Sequence, residues 1–148
     1  MKTYQAGGMI QASPEVIWDI LTDAEAYAEF DPSCERLEGR IQPGSLLRAY
    51  TKLAPGRAFD FKVTGFSPLH KMIWTGGMPL GLFKGERTFV LKPSENGQTA
   101  VLIQEIFSGP LLRFFSGSIP DLSEPFRQFI TGLKTRAEAQ QTMKTSEV

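Results

Sequence analysis

The central part of this chain is a run of six candidate β-strands joined by short connections, and this pattern constrains the fold more than any other feature. The six segments are rich in β-branched and aromatic residues and cover 35–42, 45–53, 57–66, 70–76, 83–93 and 98–108. Turn residues separate them at Pro43-Gly44, Pro55-Gly56, Pro68, Gly76-Gly77 and Asn96-Gly97. Connections this short cannot hold the crossover that parallel neighbours need. The run therefore predicts an antiparallel meander.

A further strand and two short helices are predicted ahead of the meander. Residues 4–12 read as the strand. Ser13-Pro14-Glu15 then supplies the N-cap residue, the first-turn proline and the first-turn acid of a helix start. Asp23 is suited to cap a second short helix, which stops before Asp31-Pro32.

The last part of the chain returns to a helical period after Gly109-Pro110. Residues 121–124 fit a capping box, and five apolar residues follow at helical spacing: Phe126, Phe129, Ile130, Leu133 and Ala137. Gly132 lies inside this helix, where a glycine costs about 1 kcal/mol relative to alanine. It predicts a bend or the close approach of another element.

Composition excludes several classes of function. The chain has 148 residues, which suits one domain, 1–148, with a short polar tail at 140–148. Its 16 basic and 16 acidic residues give no net charge, which argues against a nucleic-acid partner. A single cysteine, Cys34, and a single histidine, His70, exclude an intramolecular disulfide and a Cys/His zinc cluster, so we expect no metal and no cofactor. His70 would have to be the imidazole of any catalytic triad.

The location of the protein follows from similar arguments. The chain has no apolar run of the length that a transmembrane helix needs, so no integral membrane association is expected. The segment after Met1 lacks the apolar region of a secretory signal. Together with the lone cysteine, these features predict a cytoplasmic protein.

Strand parity brings two charged residues to the face of the sheet that should be buried. If the hairpin closes around Asn96-Gly97, the paired residue numbers sum to 192, so Arg87 lies opposite Glu105 and Phe89 opposite Ile103. One interpretation is a structural ion pair, or an incorrect assignment of the strand face. The other is a polar group at the bottom of an apolar cavity, which orients a ligand or transfers a proton. Because a neighbouring guanidinium stabilises the ionised carboxylate, ligand orientation is favoured over catalysis.

The segment from Gly76 to Gly85 is a glycine-rich loop with several hydrophobic residues. It fits neither a Walker A loop nor a dinucleotide fingerprint. The loop is either a long hairpin connection packed on the core or a flexible lid whose Met and Leu side chains adapt to an apolar guest. Eleven of the aromatic residues are Phe, more than simple core filling requires, and this favours a pocket.

The order of elements and several local motifs resemble the START-like (SRPBCC) superfamily and, within it, the polyketide cyclase/dehydrase-like family. The resemblance extends over Ile10 to Asp19, Leu21 to Asp23, Tyr27 to Pro32, Lys71 to Gly76, Glu86 to Phe89, Gln104 to Gly109 and Leu133 to Glu138. It implies the α+β helix-grip fold: a curved antiparallel sheet of about seven strands around a long C-terminal helix, with two short helices after the first strand and an apolar cavity between sheet and long helix.

The same resemblance implies a range of functions, and this chain departs from the family pattern at one position. Relatives bind or transport lipids, sterols, polyketides and hormones, and some cyclise or dehydrate polyketides. A histidine often occupies the position of Arg87 in the family, and the chain departs there. Since a guanidinium stays protonated, Arg87 cannot replace a histidine in acid–base chemistry.

Three functional hypotheses remain open. The first is the binding or transport of a small hydrophobic or amphipathic molecule, such as a lipid or polyketide. The second is a cyclase or dehydratase that uses Glu105 as its acid–base residue, with Tyr50 as a helper if it faces inward. The third is a protein-interaction module. The predicted ligand-binding residues are Phe59, Phe61, Trp74, Met78, Phe83, Arg87, Phe89, Ile103, Glu105, Phe107, Phe126, Phe129 and Ile130. The sequence does not fix the oligomeric state.

Overall fold

The computed structural model describes residues 1–146 and contains one antiparallel sheet of seven strands. The strands are β1 (Lys2–Ile10), β2 (Cys34–Glu38), β3 (Leu46–Thr51), β4 (Ala58–Ser67), β5 (Lys71–Gly77), β6 (Lys84–Pro93) and β7 (Thr99–Ser108). Their spatial order is β1-β7-β6-β5-β4-β3-β2. The meander from β2 to β7 is confirmed, and β1 lies beside β7, at the far side from β2.

Four α-helices accompany the curled sheet. They are α1 (Pro14–Leu21), α2 (Tyr27–Phe30), α3 (Leu112–Phe115) and α4 (Ser123–Ser146), and short 3-10 turns occur at Ala24–Ala26, Pro79–Gly81, Glu95–Gly97 and Ser116–Ser118. The predicted pair of short helices after the first strand and the long final helix are confirmed. The sequence patterns did not predict α3, which is only four residues long.

The N-terminal cap predicted for α1 is confirmed, whereas the capping box predicted for α4 is not. Ser13 caps α1, because its Oγ accepts a hydrogen bond from the Val16 N–H at 3.3 Å. At α4 the Asp121 carboxylate accepts from the Ser123 N–H at 2.9 Å. The predicted capping box does not form there, since the Glu124 carboxylate accepts hydrogen bonds from Arg127 instead.

The turn between β6 and β7 sets the register of the two strands that carry the inward charges. Asn96 and Gly97 both have positive φ angles, 63° and 74°, a combination that asparagine and glycine tolerate best. The turn pairs Arg87 with Glu105 and Phe89 with Ile103, as the sequence predicts.

The hydrophobic core lies between the concave face of the sheet and the inner sides of α1, α2 and α4. The apolar face predicted for α4 is confirmed, because Phe126, Phe129, Ile130, Leu133 and Ala137 are all buried. A Cβ atom at Gly132 would overlap the carbonyl oxygen of Phe30. The predicted close approach is therefore made by α2, which packs directly on the glycine of α4.

Polar contacts hold the second half of α4 against the junction between β1 and α1. The Glu138 carboxylate accepts from the Gln11 N–H at 2.9 Å, and the Gln141 side chain accepts from the Ser13 N–H at 3.0 Å. The helix thus contacts the first part of the chain as well as the sheet, which fixes its position over the concave face.

Candidate functional site

A row of polar and aromatic side chains crosses the concave face of the sheet. In the strand register Trp74 of β5 lies opposite Arg87 of β6, Arg87 lies opposite Glu105 of β7, and Glu105 lies opposite Tyr4 of β1. Directly opposed residues of an antiparallel pair project to the same face of the sheet. The four side chains therefore lie on the face that α4 covers.

Arg87 and Glu105 form an ion pair within this row. The Arg87 Nε donates to the Glu105 Oε1 over 2.6 Å, with side-chain exposures of 23% and 5%. The predicted inward ion pair is confirmed. A carboxylate this deeply buried needs such a partner, because an isolated buried charge is very unfavourable.

The guanidinium of Arg87 has hydrogen-bonding capacity beyond this ion pair. The rings of Phe61 and Phe126 lie beside it, with their centroids 5.6 and 5.3 Å from its Cζ atom. Within residues 1–146 its two Nη groups make no hydrogen bond. An oxygen acceptor that passed between the two rings would therefore meet free N–H donors.

A second unused donor lies next to the ion pair. Trp74 is fully enclosed, and its indole Nε1 has no hydrogen-bond partner among the described residues. Aromatic rings surround it, with Phe89, Tyr27 and Phe61 at centroid distances of 4.8, 5.6 and 6.2 Å. Buried indole N–H groups usually have a partner, so this one marks a place where an acceptor would be favourable.

Two opposed glycines shape the sheet beside the ion pair. Gly76 of β5 lies opposite Gly85 of β6. On the other side of each glycine, Phe61 of β4 lies opposite Gly76, and Phe107 of β7 lies opposite Gly85. A Cβ at Gly76 would lie 3.1 Å from the Phe61 ring, and one at Gly85 would lie 3.3 Å from the Phe107 ring. The two glycines therefore allow both rings to lie across the sheet.

Helix α2 and the residues after it form the wall opposite the sheet. Tyr27 is buried and donates its hydroxyl proton to the Leu21 carbonyl at 2.6 Å, and burial raises its pKa well above the ordinary value. Burial also raises the pKa of Asp31, although Ser33 donates two hydrogen bonds to this carboxylate. Burial raises the pKa of Cys34 to about 11. In all three groups burial acts against the ionised form, so this wall is a poor environment for negative charge.

The structure distributes the predicted ligand-binding residues over three zones. Phe61, Trp74, Arg87, Glu105 and Phe126 surround the ion pair. Phe89, Ile103, Phe129 and Ile130 belong to the closed core. Phe59, Met78, Phe83 and Phe107 lie toward the loop end of the sheet, where Phe83 stacks on Phe107 at 6.0 Å. The first zone is therefore the candidate site, and the second zone packs behind it.

Some residues of the site were missed, and others were assigned elsewhere by the structure. Tyr4, Tyr27 and Phe30 were not predicted, because the contact of β1 with β7 and the packing of α2 have no local sequence signal. Tyr50 does not face inward: it lies beside Arg36 on the convex face, 4.1 Å from the guanidinium to the ring centroid. It cannot assist Glu105 as the second hypothesis suggested.

Two surface clefts of the molecule lie away from the ion pair. A cleft of about 420 Å³ is lined by Met1, Lys2, Gly109, Pro110, Leu112 and Arg113. A second one of about 370 Å³ is lined by residues 22–25 and 39–42. Neither involves a predicted ligand-binding residue, and the aromatic rings under α4 contact one another. A guest at Arg87 would therefore have to move rings apart, beginning with Phe61 and Phe126.

The described residues contain no group of three or more His, Cys, Asp or Glu side chains arranged to hold a metal ion. None of the helices within residues 1–146 is long and apolar enough to cross a membrane.

Comparisons with known proteins agree with this geometry. A family model described as polyketide cyclase / dehydrase and lipid transport matches residues 3–138. No curated protein sequence gives a significant match.

Solved structures show the same fold at low sequence identity. The Zhui aromatase/cyclase from a Streptomyces species superimposes with a TM-score of 0.73 at 12% identity, covering 94% of each chain. The Aha1 dimer from Colwellia psychrerythraea gives 0.70 at 25% identity, covering 93% of this chain and 97% of the other. A START superfamily protein from Mycobacterium smegmatis gives 0.65 at 19%, covering 93% and 98%. Because the family model spans nearly all of the sequence, the chain belongs to the polyketide cyclase/dehydrase and lipid transport family.

Proposed function

We propose that the protein binds a small hydrophobic or amphipathic molecule that carries an oxygen acceptor, between the concave face of the sheet and α4. The observation that supports this most directly is the guanidinium of Arg87, which lies under α4 between two aromatic rings with both Nη groups unused. Apolar walls with a few convergent polar groups are the usual composition of a small-molecule site.

The donors at the site favour one class of polar group on the ligand. Arg87 and the Trp74 Nε1 can donate hydrogen bonds but cannot accept them. Glu105 already balances the charge of Arg87, so a carboxylate on the ligand would add an uncompensated negative charge. A neutral carbonyl or ether oxygen suits the site better. A polyketide-like ketone or a lipid with a carbonyl group meets this requirement, and both agree with the description of the family.

The enzymatic hypothesis has weaker support. Glu105 is the acid–base residue of that hypothesis, and its carboxylate is held by Arg87. The guanidinium cannot itself take part in acid–base chemistry, and it already occupies one oxygen of that carboxylate. A binding role requires no proton transfer from this pair, and it therefore fits the geometry without a further assumption.

The test compares ligands that differ only in the carbonyl group. Displacement of a bound environment-sensitive dye is measured with 9-fluorenone against fluorene, and with 2-pentadecanone against pentadecane. We expect the ketone of a pair to bind about tenfold more tightly, because one net hydrogen bond contributes about 1 kcal/mol or somewhat more. Equal affinities for ketone and hydrocarbon in both pairs, or no binding at all, would contradict the proposal.

Matched variants test whether the preference for the ketone depends on Arg87 and Trp74. Arg87→Met should reduce the affinity for the ketone to that for the hydrocarbon. Arg48→Met is the control, since Arg48 forms a similar cross-strand ion pair with Asp60 on the convex face, at 2.8 Å. Trp74→Phe keeps the aromatic ring but removes the N–H, and should weaken ketone binding by a smaller factor. Native mass spectrometry of gently purified protein would identify any molecule that is retained.

A further inference from the structure

One end of the molecule exposes an unusual amount of apolar side chain. Three connections meet there: residues 52–57 between β3 and β4, residues 78–83 between β5 and β6, and residues 109–115 after β7. Most of the large hydrophobic side chains that the described part of the chain exposes lie in them: Leu53, Met78, Leu80, Leu82, Phe114 and Phe115. We call these three segments the loop face.

Two of the three segments form a continuous surface. The Leu111 N–H donates to the Leu82 carbonyl at 2.9 Å, and the ring of Phe115 lies 5.4 Å from that of Phe83. The third segment joins β3 and β4 at the same end of the sheet, next to the strand that precedes residues 78–83. The apolar side chains therefore point outward from one face and are not scattered over the molecule.

Leu80 stands out within this face. It is 96% exposed and has a φ angle of 61°, in the left-handed region that leucine seldom adopts. The left-handed backbone of a leucine costs free energy, and its exposed side chain gains none from burial. Leu80 takes no part in the hydrophobic core that the described residues form, so its side chain is available to an external partner.

The charge of the loop face points to the chemistry of that partner. Lys52, Arg57 and Arg113 are its charged residues, and the three segments contain no Asp or Glu, although the whole chain has no net charge. Among the acids on the strands that reach this end, Asp60 and Glu86 are paired with Arg48 and Lys84, while Glu35 at the start of β2 lies beside residues 52–57. Exposed apolar side chains at loop tips, surrounded by basic residues, suit the interface of an anionic lipid bilayer.

We propose that the loop face docks on a lipid surface that contains anionic phospholipids, with Leu80 and Phe114 inserted among the acyl chains. Docking is independent of whether the interior binds a ligand. Where both hold, the docked face lies at the end of the sheet where Phe83 and Phe107 stack, which would give an apolar guest a short path from the bilayer. A protein partner would be expected to meet a flatter surface with complementary donors and acceptors, whereas the loop face offers apolar tips on separate segments.

The experiment uses the full chain and vesicles of phosphatidylcholine with or without phosphatidylglycerol. We expect the protein to sediment with the anionic vesicles, to bind neutral vesicles more weakly, and to lose affinity as the salt concentration rises. Leu80→Ser/Phe114→Ser should weaken vesicle binding about tenfold or more, because it removes two inserted apolar side chains.

The control variant is Leu46→Ser. Leu46 is 73% exposed but lies on the convex face of β3, away from the loop face, so its replacement should leave vesicle binding unchanged. Circular dichroism and thermal unfolding would verify that all variants are folded. No binding to anionic vesicles, or an equal loss in the Leu46→Ser variant, would overturn the proposal.

Two further outcomes separate this proposal from its rivals. A monomer–dimer equilibrium that the Leu80→Ser/Phe114→Ser variant abolishes, without vesicle binding, would replace the bilayer by a second copy of the chain. The same double variant should still bind 9-fluorenone or 2-pentadecanone in solution, and Arg87→Met should still bind vesicles. Failure of vesicle binding and failure of ketone binding therefore refute different proposals.

Discussion

The ion pair between Arg87 and Glu105 is the residue-scale feature on which the proposed function depends. Its carboxylate is buried and its guanidinium is partly exposed between two rings. Purely as a stabilising device, such a pair is a poor choice, since two apolar side chains of similar size can replace a buried pair without loss. Its presence on the concave face is therefore better explained by a need for donors there.

This interpretation predicts a particular pattern of stability. Glu105→Leu alone should destabilise the protein by about 2 kcal/mol, because it leaves the Arg87 charge without its partner in a largely apolar site. The double variant Arg87→Met/Glu105→Leu should recover most of this loss. Urea unfolding of the two variants and the parent chain provides the measurement.

An ion pair on the convex face provides a matched control for these single and double variants. Arg48 and Asp60 also pair across neighbouring strands, but both side chains are more than half exposed. Their single and double replacements should change stability by less than about 1 kcal/mol, as exposed pairs usually do. If Glu105→Leu also changed the free energy of unfolding by less than about 1 kcal/mol, Arg87 would be solvated more freely than the structure indicates. The argument for an enclosed donor would then fail.

Cys34 gives a second prediction at the scale of single residues. Its thiol is partly buried at the start of β2, and burial raises its pKa to about 11, with the Asp31 charge adding to the effect. The ordinary value for this group is 9.0, so its thiolate fraction near pH 8 should be about a hundredfold lower than that of an ordinary thiol. Alkylation by iodoacetamide, followed by intact mass, should be correspondingly slow in the folded protein.

The pH profile distinguishes this electrostatic effect from simple occlusion. If the raised pKa limits the reaction, the rate should continue to rise with pH up to about 11, whereas the urea-unfolded chain should level off earlier. A rate that is slow but flat over that range would show that access, and not ionisation, protects Cys34.

At the scale of elements, the most specific contact is that between α2 and α4. Gly132 lies on the inner side of α4, where the Phe30 carbonyl of α2 occupies the space of a Cβ atom. A helix-propensity argument alone would predict that Gly132→Ala stabilises the protein by about 1 kcal/mol. We expect the opposite, a loss of about 2 kcal/mol, because backbone must shift to accept the methyl group.

The control for this prediction lies on the same helix. Thr135 is exposed on α4, and its hydroxyl donates to the Thr131 carbonyl one turn earlier. Thr135→Ala should change the free energy of unfolding by less than about 0.5 kcal/mol. Urea unfolding of both variants would decide the matter, and a stabilised Gly132→Ala would show that α2 and α4 are not in close contact.

The elements differ in how far the sequence could predict them. The register of β6 and β7 was predicted correctly, because Asn96-Gly97 marks the turn, and the three-residue loop Glu95–Gly97 keeps the sum of paired numbers at 192. Helix α3 was not, since four residues are too few to show a helical period. The predicted capping box failed for a local reason: Glu124 has a closer partner in Arg127, one turn ahead on the helix.

At the scale of the whole molecule, the contacts that the sequence could not predict are those between its two ends. Strand β1 pairs with β7, and this pairing places Tyr4 opposite Glu105. No turn links the two strands, so no spacing rule specifies their register. The ion pair itself could be predicted from one hairpin, but its neighbours Tyr4 and Tyr27 come from distant segments that only tertiary packing brings together.

One contact between distant segments, and two more local ones, should make the stability of the protein depend on pH. The Glu138 carboxylate joins α4 to β1, and hydrogen bonds from Lys134 and from the Gln11 N–H lower its pKa below the ordinary value. Hydrogen bonds from Arg48 and from Ser123 likewise lower the pKa values of Asp60 and Asp121. For an acid with a lowered pKa in the folded state, the stabilisation is complete above the unfolded pKa and is lost as the pH falls through the folded one.

Asp31 acts in the opposite sense. Burial raises its pKa in the folded protein, so its ionisation disfavours the folded state at neutral pH, and acidification relieves that cost. Asp31→Asn removes the charge but keeps the oxygen that accepts from Ser33. This variant should therefore be more stable than the parent chain near pH 7 and equal to it at acidic pH, where Asp31 is protonated.

These signs combine into one prediction for the whole chain. Among the described residues the pKa values of Glu138, Asp60 and Asp121 are lowered and that of Asp31 is raised. We therefore expect the free energy of unfolding to fall as the pH drops below about 4.5, the ordinary range of carboxyl titration. Glu138→Gln should be less stable than the parent at pH 7 and should lose less stability on acidification. Urea unfolding at several pH values measures both effects. Parallel pH profiles for the parent and Glu138→Gln would mean that the carboxylate is equally solvated in both states, and that the contact between α4 and β1 depends on apolar packing alone.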